Sequence, residues 1–287
     1  MSRIAYVNGR YLPHGEAAVH VEDRGYQFAD GVYEVVAVIG GAFVDEDPHL
    51  DRLWRSLAEL RIQPPMGRAA LKLVAREVVR RNGIDNGIVY MQVTRGVARR
   101  DHPFPKRAEP SVVMTAKRIT RPTAEAVDKG VRVLTIPDIR WQRCDIKTVG
   151  LLPNVLGKQH ARENGAFEAW QVDGEGMVTE GTSTNAWIVT QDGRLVTRPA
   201  TNAILNGVTR LTILELARRQ GLTFEERAFS VAEAKAAREA FISSATAFVM
   251  PVTQIDDQVI GNGRAGSLSL SLRQAYDAYI AGLKAAS

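Results

Sequence analysis

The sequence contains a single cysteine, Cys144, among its 287 residues. No intrachain disulfide can form, and a zinc site built from cysteines is excluded. A catalytic thiol stays open, although a small buried side chain is the commoner role for a lone cysteine.

Long hydrophobic runs are also missing. No apolar stretch approaches the roughly 18 to 20 residues of a membrane span, and residues 1–9 lack the hydrophobic centre of a signal peptide. We therefore expect a cytoplasmic protein with no membrane association. With 45% hydrophobic and 24% charged residues, the composition is that of a globular protein with a sizeable core.

The basic residues form no single block. A net charge of +5 arises from 37 basic and 32 acidic side chains that are scattered along the chain. Nucleic-acid binding is not favoured. A short cluster, Arg95, Arg99 and Arg100, lies in one loop and suits a small anion better than a duplex.

The pattern of elements predicts two domains: a small N-terminal α+β domain at 1–118, a linker at 119–123 and a larger C-terminal domain at 124–287 that holds Lys147. The first domain should contain hairpins around Asn8-Gly9 and Gly40-Gly41. Periodicity and alternation predict the remaining elements: in the first domain, helices near 47–60 and 67–81 and strands near 88–94 and 111–116; in the second, strands near 131–136, 167–172, 186–189 and 240–243 and helices near 153–164, 208–220 and 267–283.

Lys147 stands in an otherwise apolar segment that is predicted to be a strand leading into a helix. Strand alternation would point this side chain inward. Loss of water from a buried ammonium favours the neutral amine, which can attack carbonyls. The alternative is a lysine at the end of a strand whose ammonium reaches back to solvent.

Glu180 is predicted to lie in a Gly/Ser/Thr-rich turn that leads into the apolar strand 186–189. A carboxylate there is poised at the mouth of a strand, although many turn carboxylates are only solvated or capped by their own backbone. Segment 206–210 then begins a helix, and its first amides could seat a phosphate; most helix starts hold only water. Ser244 and Thr246 belong to a third loop with hydroxyl donors, which could equally be a surface turn.

A buried amine, a carboxylate and two anion-seating loops are what pyridoxal 5′-phosphate requires. With these segments the chain resembles the class IV, fold-type IV pyridoxal-phosphate aminotransferases, and most closely the D-amino-acid (D-alanine) transaminases. The resemblance covers nearly the whole chain, in six segments that keep the family's order: 23–34, 49–53, 94–102, the Lys147 segment, 180–185 and 206–210.

The resemblance implies a two-domain α+β/α/β fold, with a C-terminal domain rich in strands and flanked by helices. It makes Lys147 the Schiff-base lysine and Glu180 the partner of the pyridine nitrogen. The phosphate would be bound by Arg52, the amides of Val208 and Thr209, and the turn Ser244-Ala245. Taken alone, Arg52 could instead pair with a surface carboxylate.

In the same family, Tyr33, Arg100 and His102 would hold the substrate's α-carboxylate. An arginine fork matches a carboxylate, and an imidazole can donate a further hydrogen bond. Taken alone, Tyr33 would more often be an aromatic residue of the core. The loop that carries Arg100 and His102 would, taken alone, be only a basic loop on the surface. The family's loop reaches into the neighbouring subunit, which implies a homodimer with shared active sites.

The implied reaction is a ping-pong transfer from D-alanine or D-glutamate to a 2-oxo acid such as 2-oxoglutarate. Branched-chain L-aminotransferases and aminodeoxychorismate lyases are alternatives that would use Lys147 and Glu180, but Arg100-x-His102 argues against both. A cofactor-binding protein without turnover, or a plain basic scaffold, is a further alternative. Three positions depart from the family pattern, Ala29, Ala245 and Phe248; the first replaces a glycine.

Overall fold

The computed structural model describes residues 3–285, which form two compact units. The first unit contains the described residues up to Thr120, the segment Ile146–Gly150 and residues 283–285. The second contains Arg121–Asp145 and Leu151–Gly282.

The first unit is built on an antiparallel sheet. Within the described residues this sheet has six strands in the order β2-β1-β6-β5-β3-β4. Tight turns join β1 to β2 and β3 to β4, as the two Gly-containing dipeptides predict. The strands are β1 (Ile4–Val7), β2 (Arg10–Pro13), β3 (Gly31–Ile39), β4 (Ala42–Phe43), β5 (Asn86–Thr94) and β6 (Ser111–Arg118).

Helices of the first unit bury apolar side chains at helical spacing against this sheet. Leu50, Leu53 and Leu57 recur every three or four residues and are almost completely buried. They join a core with strand residues such as Val36 and Val89. The helices are α1 (Arg24–Phe28), α2 (Glu46–Glu59) and α3 (Arg68–Arg81), with a 3-10 turn at His14–Glu16.

The second unit is built on a larger, mixed sheet. In the described part of the chain it has nine strands, in the order β12-β11-β10-β13-β14-β7-β8-β9, with β15 beside β14. Parallel pairs join β14 to β7 and β7 to β8. The strands are β7 (Val131–Pro137), β8 (Glu168–Val172), β9 (Val178–Gly181), β10 (Asn185–Val189), β11 (Leu195–Thr197), β12 (Phe224–Glu226), β13 (Glu239–Ser244), β14 (Phe248–Ile255) and β15 (Gln258–Val259).

Strand β10 of this sheet is buried along its whole length. Its Trp187 stacks on Phe241 of β13 with ring centroids 5.3 Å apart. Such continuous apolar runs are typical of strands that are covered on both faces. The helices of this unit are α4 (Ala124–Lys129), α5 (Leu152–Glu163), α6 (Val208–Arg219), α7 (Val231–Lys235) and α8 (Ser267–Ala285).

Two sequence predictions about the Lys147 segment need correction. Residues 141–151 form no strand, and Thr148 makes only an isolated bridge to Val32 of β3. Because that bridge lies on the first unit's sheet, Lys147 belongs to the first unit and not to the C-terminal one. The wider division at 1–118, 119–123 and 124–287 stays a prediction.

No helix within residues 3–285 is both long and apolar enough to cross a membrane.

Candidate active site

Lys147 is held against the edge of β3 by backbone hydrogen bonds. The amide of Tyr33 donates to the carbonyl of Lys147 at 3.0 Å, and the amide of Val149 donates to the carbonyl of Gly31 at 3.1 Å. The half-buried side chain of Lys147 then places Nζ 4.2 Å from the centroid of the Tyr33 ring. The structure therefore brings together two residues that the sequence predicted for one site.

Strand alternation does not explain this position. Asp145 and Ile146 are both buried, although neighbours in a strand would face opposite sides. The amide of Lys147 donates to Ser56 Oγ of α2 at 3.4 Å. The segment pairs with β3 for only one step, so the surrounding contacts, and not a strand period, set the direction of the lysine.

Tyr33 faces a second tyrosine across the sheet. Its ring lies 5.6 Å from that of Tyr90 on β5. Burial, with a smaller contribution from Tyr33, raises the pKa of Tyr90 to about 12, so this phenol stays protonated. Its hydroxyl donates to Gln92 Oε1 at 2.6 Å. Tyr90 therefore supports Tyr33 from the neighbouring strand as a neutral group.

Arg52 pairs with a buried carboxylate and not with its surface neighbour. Its Nε and Nη2 donate to Glu34 at 2.7 and 2.9 Å, and His49 Nδ1 lies 2.8 Å from the same carboxylate. Asp51 pairs instead with Arg68. Burial opposes the charge on Glu34, but Arg52 and His49 outweigh it and lower the pKa of Glu34 to about 2. Arg52 is thus fixed in direction by a fully buried anion.

Glu34 and His49 have no role predicted from the sequence, although both lie in the segments that match the family. A detectable signal was present. His49 and Arg52 are three residues apart and so share a face of α2, while Glu34 is an acidic residue inside an apolar strand. A buried acid needs a cationic partner.

Arg100 and His102 lie together on the ring of Phe28. The Arg100 guanidinium carbon is 4.7 Å from the ring centroid, and the His102 ring is 5.6 Å away. Arg100 Nη1 also donates to the carbonyl of Gln27 at 3.4 Å. Within the described residues neither side chain makes a hydrogen bond or ring contact with Tyr33.

Glu180 lies at the end of strand β9, and not in the turn that the sequence predicted. It is buried, and it accepts hydrogen bonds from the amide of Leu205 to Oε1 and from Asn185 Nδ2 to Oε2, both at 3.1 Å. The turn begins only after Gly181, because β9 pairs with β8 as far as Trp170 and Gly181. The carboxylate therefore has a fixed orientation.

Arg140 is the principal partner of Glu180 and was not singled out from the sequence. Its Nη1 forms an ion pair with Glu180, while Nε and Nη2 donate to Asp138 at 2.9 and 2.7 Å. Burial acts to lower the pKa of Arg140, but the two carboxylates raise it above its usual value. Their partnership spans 40 residues of sequence, so no local pattern could reveal it.

The first turn of α6 lies beside the Glu180 network. The N-cap residue is Gly207, and no side chain caps the amides of Val208 and Thr209. A Cβ on Gly207 would lie 2.1 Å from Oδ1 of Asn185, the residue that also donates to Glu180. A side chain here would therefore force Asn185 or the helix start to move, and the glycine lets the helix start pack closely against β10.

The turn Ser244-Ala245 belongs to the same region of the second unit. Asn185 of β10 pairs directly with Ser243 of β13, so Ser244 follows beside the Glu180 network. Ser244 Oγ accepts from the amide of Ala247 at 3.1 Å. Within the second unit the structure therefore brings Glu180, the α6 start and this turn together.

The surroundings of Cys144 are unfavourable for a nucleophilic thiol. Burial, with the nearby carboxylates, raises the pKa of the thiol to about 11, despite the opposing charge of Arg140. Its Sγ donates to the carbonyl of Trp141 at 3.1 Å. The protonated thiol is a poor nucleophile.

Comparison with known proteins gives one consistent family. The family described as "Amino-transferase class IV" matches residues 31–255. The D-alanine aminotransferase of Bacillus licheniformis is 44% identical, over 93% of this chain and 94% of that protein. The D-alanine aminotransferase of Staphylococcus haemolyticus is 39% identical, over 96% of this chain and 97% of that protein.

Solved structures give the same fold with lower sequence identity. The branched-chain amino acid aminotransferase of Escherichia coli superposes with a TM-score of 0.89 at 25% identity, over 97% of this chain and 94% of that one. The branched-chain aminotransferase of Thermoproteus uzoniensis, solved with norvaline, gives a TM-score of 0.86 at 26% identity, over 99% of this chain and 96% of that one.

Proposed function

This chain belongs to the class IV aminotransferases, and we propose that it transfers the amino group of a D-amino acid, of the D-alanine or D-glutamate type, to a 2-oxo acid such as 2-oxoglutarate. The observation that carries the proposal is the higher identity with D-alanine aminotransferases than with the branched-chain enzymes of the same fold. The spacing Arg100-x-His102 supports the same choice.

The donor set fits pyridoxal 5′-phosphate. Lys147 offers an amine beside Tyr33, and Arg140 stabilises the negative charge of Glu180, the form that can accept a hydrogen bond from a protonated pyridine nitrogen. The start of α6, which has no side-chain cap, offers amides to a phosphate. We propose as cofactor ligands Lys147, Glu180, Arg52, Val208, Thr209, Ser244 and Ala245.

When bound, pyridoxal phosphate supplies an aldehyde that condenses with amines and a ring that withdraws electrons from the substrate's Cα. The Nζ of Lys147 would hold the cofactor through its amine, and it is also the group that would take up the Cα proton of the substrate as a general base. Glu180, paired with Arg140, would keep the pyridine nitrogen protonated. Tyr33, Arg100 and His102 would hold the α-carboxylate of the amino acid. In the second half of the reaction, the same residues would hold the carboxylate of the 2-oxo acid that accepts the amino group.

The first test of this mechanism is Lys147→Ala. Loss of both the covalent attachment and the general base should reduce kcat by at least about a thousandfold. The measurement is pyruvate formation from D-alanine with excess pyridoxal phosphate, together with the visible absorption of the purified protein. Lys117→Ala, an exposed lysine on β6 of the same unit, is the control and should retain activity. Full transaminase activity in Lys147→Ala would contradict the mechanism.

Substrate handedness is tested by a half-reaction. The purified yellow protein receives D-alanine or, separately, L-leucine, and the visible band is followed. Bleaching by D-alanine alone supports the proposal. Bleaching by L-leucine alone keeps Lys147 and Glu180 in place but makes the protein a branched-chain aminotransferase. A protein that binds the cofactor and reacts with neither would favour a role without turnover.

We also propose a cytoplasmic homodimer with shared active sites, because the family resemblance implies that Arg100 and His102 serve the partner subunit. Mixing the inactive Lys147→Ala variant with the Arg100→Ala variant tests whether the active sites are shared between subunits. In a mixed dimer, one site would receive an intact lysine and an intact loop. Refolded mixtures should recover about a quarter of the wild-type activity at low substrate concentration. Recovery no greater than that of the separate variants would exclude shared sites.

A further inference from the structure

Arg24 is a buried arginine whose guanidinium donates hydrogen bonds to other residues of the first unit. Only 3% of the residue is exposed. Its Nε donates to Asp30 Oδ2 at 2.8 Å, its Nη1 to the carbonyl of Asp101 at 2.6 Å and its Nη2 to the carbonyl of His102 at 3.3 Å. One guanidinium therefore fixes the backbone of two consecutive residues in the loop that carries Arg100 and His102.

The helix that carries Arg24 is itself firmly seated. Asp23 caps α1 by accepting from the amide of Gly25 at 2.8 Å, and it also accepts from Thr94 Oγ1 at 2.9 Å. A Cβ on Gly25 would lie 2.2 Å from Thr94 Cγ2, so α1 packs directly on the end of β5. The amide of Arg24 donates to the carbonyl of Gly96 at 2.9 Å. Arg24 is thus anchored before it reaches the loop.

Asp30 joins Arg24 to a second buried arginine. Arg95 donates to the same carboxylate at 2.7 and 2.9 Å and to the carbonyl of Leu60 at 2.8 Å. Burial opposes the charge on Asp30, but the two arginines outweigh it and lower the pKa of Asp30. The carboxylate therefore stays ionised and holds the Arg24 fork in one orientation.

Phe28 at the end of α1 completes the arrangement. Its ring centroid lies 4.8 Å from the guanidinium carbon of Arg24, 4.7 Å from that of Arg100 and 5.6 Å from the His102 ring. Arg24 fixes the loop's backbone, and Phe28 supports the side chains that the loop presents. The direction of Arg100 and His102 thus depends on residues that need not touch a substrate.

We propose that Arg24 is a positioning residue for substrate binding: by clamping the carbonyls of Asp101 and His102, it sets the affinity for the α-carboxylate shared by the amino acid and the 2-oxo acid. The inference rests on the proposed function, which gives Arg100 and His102 that carboxylate. Weaker clamping raises the KM of both substrates and leaves kcat and cofactor binding almost unchanged, because the carboxylate is bound equally in the ground and transition states.

The test is Arg24→Lys, which keeps the charge near Asp30 but cannot span two carbonyls with a rigid fork. Loss of one charge-assisted hydrogen bond corresponds to about a tenfold rise in the KM of both D-alanine and 2-oxoglutarate. The expected kcat stays within about twofold of wild type. The control is Arg132→Lys, since Arg132 also donates to two backbone carbonyls, those of Asp256 and Asn164, and lies in the second unit.

A double-mutant cycle separates positioning from general destabilisation. If Arg24 acts through Arg100 and His102, Arg24→Lys should change KM little in a background that carries both Arg100→Ala and His102→Ala. Additive effects would overturn the proposal, as would a wild-type KM in Arg24→Lys or a fall in kcat with KM unchanged. If Arg24→Lys does not fold, Phe28→Leu removes the supporting ring and should give the same rise in KM; an unchanged KM there would overturn it.

Binding of propionate keeps this inference separate from the proposed reaction. Propionate has the carboxylate but no amine, and its Kd can be measured by titrating the visible band of the holoenzyme. Wild-type protein that fails to react with D-alanine would refute the proposed function only. A propionate Kd raised about tenfold by Arg24→Lys supports the positioning role, and an unchanged Kd overturns it.

Discussion

Ala29 adopts a backbone conformation that favours glycine. It ends α1 in the left-handed region, with φ of 56° and ψ of 28°, at a position where the family pattern has glycine. A side chain in this region costs roughly 1 to 2 kcal/mol, and the greater freedom of glycine in the unfolded chain offsets part of that. The departure noted in the sequence therefore has a local physical meaning.

We expect Ala29→Gly to stabilise the protein by about 0.5 to 1 kcal/mol. The measurement is the free energy of unfolding from urea titration. Ala278→Gly, at an exposed position in the interior of α8, is the control and should destabilise by about 1 kcal/mol. Equal losses in both variants would show that the left-handed conformation at Ala29 carries no strain.

Single residues also show how far sequence reasoning reaches. Lys147 and Glu180 can be proposed as site residues from the sequence because the amine and the carboxylate stand in unusual apolar or Gly-rich surroundings. Their partners cannot be proposed in this way. Arg140 reaches Glu180 across 40 residues and Arg52 reaches Glu34 across 18, so neither pair has a local signature. Burial of a charge predicts that a partner exists, but not which one.

At the scale of elements, the length of a helix or strand decides whether it can be predicted from the sequence. Helices α2, α3, α5, α6 and α8 span 12 or more residues, and their apolar period is visible. Short elements, including α1, α4, α7 and β9, span only four to six residues and were missed. Yet α1 carries Arg24 and β9 carries Glu180, so the shortest elements hold much of the candidate site.

The start of α6 gives the prediction at this scale. In Gly207→Ala the new Cβ would lie 2.1 Å from Oδ1 of Asn185, so either the helix start or the Asn185 amide must move. Movement of either disturbs the amides of α6 and the hydrogen bond to Glu180. We expect the Kd for pyridoxal phosphate to rise at least about tenfold, a loss comparable to one charge-assisted hydrogen bond.

Cofactor titration by visible absorbance measures this change. The control is Gly174→Ala, because a Cβ at Gly174 would meet nothing within 4 Å. Its affinity for the cofactor should equal that of wild type. A Gly207→Ala variant with wild-type affinity would mean that the α6 start is not part of the phosphate site.

For the whole molecule, the sequence resemblance to class IV aminotransferases is confirmed by the family match and by the solved structures. The placement of Lys147 was wrong in detail. The chain returns to the first unit for five residues, Ile146–Gly150, after it has begun the second. This return depends on the backbone pairing of the segment with β3. Composition and periodicity give no information about such pairing.

Acid stability is a property of the whole fold that follows from its buried carboxylates. The pKa of Glu34 is about 2 in the folded protein, against a usual 4.5. Those of Asp30 and Asp138 are also lowered, because arginine partners outweigh the effect of burial. The folded state therefore binds fewer protons than the unfolded state. This stabilisation is complete above the unfolded pKa values and is lost as the pH falls toward the folded ones.

We therefore expect the free energy of unfolding to change little from these groups above pH 5 and to fall steeply between about pH 4.5 and 2, with Glu34 alone contributing on the order of 3 kcal/mol. Urea unfolding at a series of pH values measures this change in the free energy of unfolding.

Glu34→Gln should be less stable at pH 7, by about 3 to 5 kcal/mol, since it leaves Arg52 and His49 without their anion. It should also show a shallower acid slope, whereas Glu175→Gln, an exposed control, should follow wild type. An unchanged slope in Glu34→Gln would mean that the pKa of Glu34 is not lowered in the folded protein.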